Sequence, residues 1–142
     1  MTLDTKAAVW LAQKPALLWL PRLMLAAIFV ESGVDKLWHW PAYVQDAAAH
    51  GIPLAPLSLA LAVSVEILGS AALLAGVCLT PALLALAVYT LIVNFFYFDF
   101  WAMVEPASLM ARKEFLKNIA VAGGLLGWWT LTLRTRIGEA KA

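Results

Sequence analysis

Apolar residues run almost unbroken through four stretches of this chain, and the charged residues collect between and at the ends of them. The stretches extend over residues 17–38, 54–79, 81–98 and 115–133. Each is close to the roughly 20 residues that an α-helix needs to cross the hydrocarbon core of a bilayer, so the pattern predicts four spanning helices. The second is the clearest, with Glu66 as its only charged residue, near the middle. The third has no formal charge and begins at Pro81, which suits a first helical turn; Asn94 is its most polar residue. A tight hairpin must join the two. The fourth has to start near Phe115 to be long enough, which draws Lys117 and Asn118 into its first turn. The expected architecture is all-α: a polytopic membrane four-helix bundle forming one domain over residues 1–142.

The connections refine this picture. Trp38 to Pro53 is aromatic, then small and polar, and Asp99 to Glu114 carries Glu105, Pro106, Arg112 and Lys113. Both are expected to hold interfacial helical turns. Four spans place both termini on one side, with Lys6, Lys14, Arg134, Arg136 and Lys141 against Arg112 and Lys113 opposite. The positive-inside rule then puts the termini in the cytoplasm of a plasma membrane. Trp38, Trp40, Tyr43 and Trp101 fall at the outer ends of the spans, and Trp10, Trp19, Trp128 and Trp129 toward the inner ends, the places of interfacial anchors. The apolar run after Pro15 contains Arg22 and shows no small-residue cleavage site, so it reads as a retained span and not a cleaved signal.

Composition agrees and excludes several functions. Of 142 residues, 63% are apolar and 13% charged, against roughly 45–50% and about 25% in soluble domains. A net charge of +1 without a basic patch gives no reason to expect nucleic acid as a partner. Cys78 is the only cysteine, which excludes an internal disulfide or CxxC redox centre. His39 and His50 both fall in the outer connection, whereas axial haem ligands belong inside a bundle. No haem or metal is expected.

The candidate chemistry lies in the polar groups within the spans. Arg22, Phe29, Gly33 and Lys36 share one face of the first helix, and Glu31 and Asp35 lie roughly opposite. Arg22 and Lys36, near helix ends, either snorkel to the headgroups or act within the bundle. Glu66 has no such escape. An ionised carboxylate at that depth costs about 2.5–3.5 kcal/mol or more, so it must be protonated, paired or facing water. Lys117 and Asn118 either cap the fourth helix or donate into the bundle. Gly69, Gly76, Gly123, Gly124 and Gly127 suit close helix approach.

Three stretches together resemble the DoxX family: Arg22 with FVESGVDKL from Phe29 to Leu37, VEILGSAALLAG from Val65 to Gly76, and EFLKNIAVAGGLL from Glu114 to Leu126. Gly51 to Pro53 and FDFW from Phe98 to Trp101 add to the match, which covers most of the chain. The resemblance implies a small four-helix bacterial or archaeal membrane protein. Some relatives are subunits of quinone-linked oxidoreductases or are associated with oxidative stress and thiol metabolism. Carried over residue by residue, the resemblance implies a site drawn from Arg22, Gly33, Lys36, Glu66, Lys117 and Asn118, with Asp99 of the FDFW stretch as a further ligand candidate. Relatives often carry a histidine where this chain has Phe98, so a proton relay through that histidine is not expected here.

Three functions compete on this reading. The first is the membrane subunit of a quinone-linked oxidoreductase or redox-stress complex, in which Glu66 moves the proton, Arg22 or Lys36 polarises a carbonyl, and Phe29, Phe95, Phe96 and Tyr97 wall a slot for the flat carrier. Its partners are membrane lipid, a lipophilic small molecule and other oxidoreductase subunits, soluble or membrane-bound. The second is a non-catalytic anchor or assembly subunit. The third is a small proton-coupled exporter, for which one mid-membrane carboxylate is the minimum requirement.

Overall fold

The computed structural model describes Trp10 and residues 15–140. Regular structure over residues 15–140 is entirely helical: α1 (Pro15–Trp38), α2 (Trp40–Ala49), α3 (Ala55–Ala75), α4 (Leu79–Tyr97), a turn of 3-10 helix at Phe100–Ala102, and α5 (Ala107–Ala140). The four long helices form the expected all-α bundle, while α2 and the 3-10 turn occupy the two connections that were expected to hold interfacial turns. By length and composition, α3 and the stretch Leu79–Ala102 are apolar enough to cross a membrane.

Local chemistry explains where the helices stop. Gly76 adopts the left-handed conformation at φ 72° and closes α3, with Val77 N–H donating back to the Ala72 carbonyl. Cys78 follows at φ 49° and opens α4. Leu79 therefore belongs to the third long helix and not the second, and Pro81 is its third residue, where a missing N–H still costs no intrahelical bond. At the other end of the bundle the sequence misplaces a boundary. α5 starts at Ala107, directly after Pro106, and is already helical through Arg112, Lys113 and Glu114. Charge excludes that segment from the membrane interior but does not interrupt a helix, so Lys117 and Asn118 lie nearly three turns inside α5 and not in its first turn.

The helices pack in sequence order, α1 on α3, α3 on α4 and α4 on α5, and α2 leans on α3. One buried cluster joins them: Phe29 from α1, Leu73 from α3, Leu83, Leu86 and Ala87 from α4, and Leu125 from α5. Two glycines set the spacing. A Cβ on Gly33 would lie 2.8 Å from Ile67 Cδ1, and one on Gly69 would lie 2.8 Å from Leu86 Cγ. The expectation that Gly123, Gly124 and Gly127 serve helix packing is not met within this chain, because all three are exposed and face open space. At the C-terminal end of α4, Phe95, Phe100, Trp101 and Phe115 stack edge to face around the 3-10 turn. Such amphipathic and aromatic groups gather where hydrocarbon gives way to headgroups.

Candidate functional site

Glu66 lies eleven residues after the first and nine before the last residue of α3 (66 − 55 and 75 − 66), so about 14–16 Å of helix extends on either side. Its side chain is 2% exposed. Gly33 lets α1 approach closely here: its absent Cβ faces both Ile67 and the Cβ of Glu66 at 3.4 Å. That approach brings Lys36, one turn further along α1, over the carboxylate. Lys36 Nζ donates to Glu66 Oε1 at 2.8 Å and to Oε2 at 3.0 Å, and also bonds Ser32 Oγ. Ser32 Oγ donates to Glu66 Oε1 at 2.9 Å, and Tyr89 Oη, from α4, donates to the same oxygen at 2.8 Å.

The result is a buried ion pair with two hydroxyl donors, built from three helices. A lone ionised group at this depth would be expensive; a pair with its remaining lone pairs satisfied can persist. The donors are distributed unequally. Three converge on Oε1, while Oε2 receives only Lys36, so acceptor capacity remains on one side of the carboxylate. One turn further along the same face of α3, Ser70 is fully buried, and its Oγ has no hydrogen-bond partner among the described residues. Unused polar capacity thus lies next to the pair.

A second polar cluster leads outward from the first. Lys36 Nζ lies 5.7 Å from the centre of the Tyr43 ring on α2. Tyr43 donates to Asp35 Oδ2, and Asp35 Oδ1 lies 2.9 Å from His39 Nδ1. The hydrogen bond to Asp35, with burial second, pushes the Tyr43 phenol up to about 12. Tyr43 is therefore a neutral donor throughout the physiological range.

Of the residues picked out by sequence, Glu66, Lys36 and Gly33 come together, and the others do not join them. Arg22 lies at the opposite end of α1, about 21 Å along the helix from Lys36. Its guanidinium packs against Gly76 at the end of α3 and lies 5.6 Å from the Trp19 ring. Lys117 is exposed and pairs with Glu114. Asn118 donates to Asn94 Oδ1 at 3.1 Å, and Asn94 Nδ2 donates to the Phe115 carbonyl at 3.0 Å. This buried amide contact ties α4 to α5 about one and a half turns nearer the C-terminal end of α4 than the level of Glu66 and Tyr89. Asp99 is partly buried in the link between α4 and the 3-10 turn and makes no side-chain cap there. The aromatic wall expected from Phe29, Phe95, Phe96 and Tyr97 is dispersed: Phe29 is in the core, Phe95 stacks on Phe115 near the C-terminal end of α4, and Tyr97 stacks on His50 at 4.4 Å.

Sequence reasoning passed over Tyr89 and gave Ser32 no role. A signal for Tyr89 existed. Glu66 and Tyr89 stand eleven residues on either side of the Val77–Cys78 turn (77 − 66 and 89 − 78), so an antiparallel hairpin places them at one level. Ser32 lies one turn before Lys36 on the same face.

Comparison with known proteins identifies the family. The DoxX family model matches residues 17–99, a segment that contains Lys36, Glu66 and Tyr89. The inner membrane protein YphA of Escherichia coli (strain K12) is 28% identical over 115 residues, covering 81% of this chain and 82% of that protein. No solved structure matches the chain.

Proposed function

The chain belongs to the DoxX family, and from that premise we propose that it is the membrane subunit of a quinone-linked redox complex, with Lys36–Glu66 as its proton-handling pair. All four long helices cross a bacterial or archaeal inner membrane in this reading, with both termini in the cytoplasm. Arg134 and Arg136 fall on the inner side and Arg112 and Lys113 on the outer; Lys6, Lys14 and Lys141, which contribute to the same bias, lie outside the described residues. The observation that carries the proposal is the buried ion pair at mid-helix with unused polar capacity beside it, at Glu66 Oε2 and Ser70 Oγ.

The donor set fits a carbonyl-bearing carrier in its chemistry. Such a carrier needs a donor for each carbonyl and a group able to take and give protons; an ammonium, two hydroxyls and a carboxylate supply both. Lys36 and Tyr89 are the residues that would hold a carbonyl oxygen, and Ser70 offers a further hydroxyl. A quinone supplies two-electron, two-proton chemistry when bound. The chain supplies the proton. When Glu66 takes one, its hold on Lys36 weakens, and the ammonium turns toward another acceptor. When Glu66 releases it, the shell of three donors and four hydrogen bonds reforms. Tyr43, Asp35 and His39 form the polar cluster next to this pair, with the Tyr43 ring beside Lys36 and His39 exposed.

Glu66→Gln tests this in the assembled complex. Quinol-dependent turnover should fall by at least about a hundredfold, the typical contribution of one positioned acid–base group, while the protein stays in the membrane at its normal level. Unchanged turnover removes Glu66 from the mechanism. One observation favours a second reading: every N–H of Lys36 already has an acceptor within the chain. On that reading the pair locks α1 to α3 in a non-catalytic anchoring subunit, and Glu66→Gln lowers stability without changing turnover per assembled complex.

A further inference from the structure

The side of α1 turned away from α3 is unpartnered within the described residues. It presents Ala27, Val30, Glu31, Val34 and Trp38, spaced three, one, three and four apart, the repeat of a helix–helix seam. With Asp35 and His39 these residues line a shallow open groove along the helix. Glu31 is exposed on this seam and has no hydrogen bond or ion pair among the described residues.

Its depth makes that exposure significant. Gly33 packs against Glu66 and Ile67, so Glu31, two residues earlier on α1, lies about 3 Å further from the outer end than Glu66. The two carboxylates share the middle of the bundle, one buried and paired, the other turned outward. Asp35, one turn above Glu31, disposes of its charge with His39 and Tyr43. Glu31 has neither such partners nor the length to reach the outer interface at Trp38, about 10 Å further along α1.

We propose that this seam is the docking surface for a transmembrane helix of another protein, one that carries a lysine, arginine or histidine at the depth of Glu31. Ala27 and Val34 provide the small and medium side chains that let a helix approach closely, and Glu31 fixes its register. A second copy of this chain fits poorly. A two-fold contact through the seam sets Glu31 against Glu31. The outward-facing Lys117 lies about 12 Å nearer the outer end and is already paired with Glu114. The inference rests on the reading that α1 crosses the membrane.

A photo-crosslinking amino acid placed at Ala27 or Val34 in the full-length chain, expressed in its native host and irradiated in intact membranes, tests it. The expected result is one discrete adduct with a membrane protein, absent when the probe is at the exposed Ile92 on α4, and mapping to a helix with a basic residue. Glu31→Leu should lower its yield about tenfold, equivalent to about 1.4 kcal/mol. Adducts with lipid alone or with a second copy alone, or a yield indifferent to Glu31→Leu, overturn the inference. A parallel measurement separates its failure from that of the spanning reading. In a Cys78→Ser background, Glu31→Cys should resist a water-soluble maleimide in native membranes. Ready labelling shows that α1 lies in water and removes both claims, whereas protection without a protein adduct removes only the docking surface.

Discussion

Replacing Lys36 with methionine removes the positive member of the buried pair and keeps most of its length. Glu66, 2% exposed, would keep only the Ser32 and Tyr89 hydroxyls. Breaking a buried pair from one side costs about 3–5 kcal/mol, because a charge is left without its counter-charge. The two hydroxyl donors remain, which places the expected loss near ~3 kcal/mol. If both charges are removed, in Lys36→Met with Glu66→Leu, no charge is stranded. The residual cost is then the two orphaned hydroxyls, about 1 kcal/mol each if they find no other acceptor. The double variant should therefore be more stable than Lys36→Met alone, and the coupling between the sites should exceed about 1 kcal/mol. Circular dichroism across a graded series of dodecyl sulfate in maltoside micelles measures both quantities. A Lys36→Met loss below about 1 kcal/mol, or strict additivity of the two substitutions, would refute the argument that this pair organises the α1–α3 contact.

Other consequences follow from the same contacts. Gly69→Ala should destabilise more than Gly33→Ala, by about 1–3 kcal/mol against less than ~1, because the new methyl meets the branch point of Leu86 in one case and the flexible tip of Ile67 in the other; the same detergent titration ranks them. Asn94→Leu should cost about 1–2 kcal/mol by breaking the amide tie between α4 and α5, and hydrogen exchange should rise around Phe115 and Asn118 before it rises in α1. Tyr43, pushed up to about 12 by its bond to Asp35, keeps the stabilisation from that bond fully below its ordinary value near pH 10 and loses it only as pH climbs toward 12. A tyrosinate difference titration of wild type against Tyr43→Phe should accordingly show a component ionising near pH 12; one ionising near pH 10 contradicts the Asp35 contact.

Hydropathy alone was enough to find the bundle, because lipid permits few ways for an apolar chain to satisfy its backbone. It placed helix ends less well. At Gly76 and Cys78 the boundary is a matter of backbone conformation inside a continuous apolar run, and at Ala107 the helix extends through charged residues that hydropathy excludes. For the site, Glu66 announced itself by depth and Lys36 by its stripe. Tyr89 was hidden because a tyrosine in an apolar run is unremarkable until the hairpin register is drawn. Arg22 failed to join because sharing a helix face fixes direction and says nothing of height: fourteen residues separate it from Lys36 (36 − 22). The aromatic residues expected to wall a slot dispersed for the same reason, since neither Phe29 nor the Phe95–Tyr97 segment lies at the level of Glu66.

In the proposed function a lipophilic carbonyl carrier binds beside Lys36 and Glu66. Photolabelling with an azidoquinone in native membranes, followed by peptide mapping, tests it most directly. Labelled peptides are expected from α1 and α3 around Ser32, Lys36, Glu66 and Ser70, with labelling suppressed by excess unmodified quinone and lost in Lys36→Met. Labelling that excess quinone does not suppress, or that maps only to the aromatic cluster around Phe95 and Trp101, would contradict it.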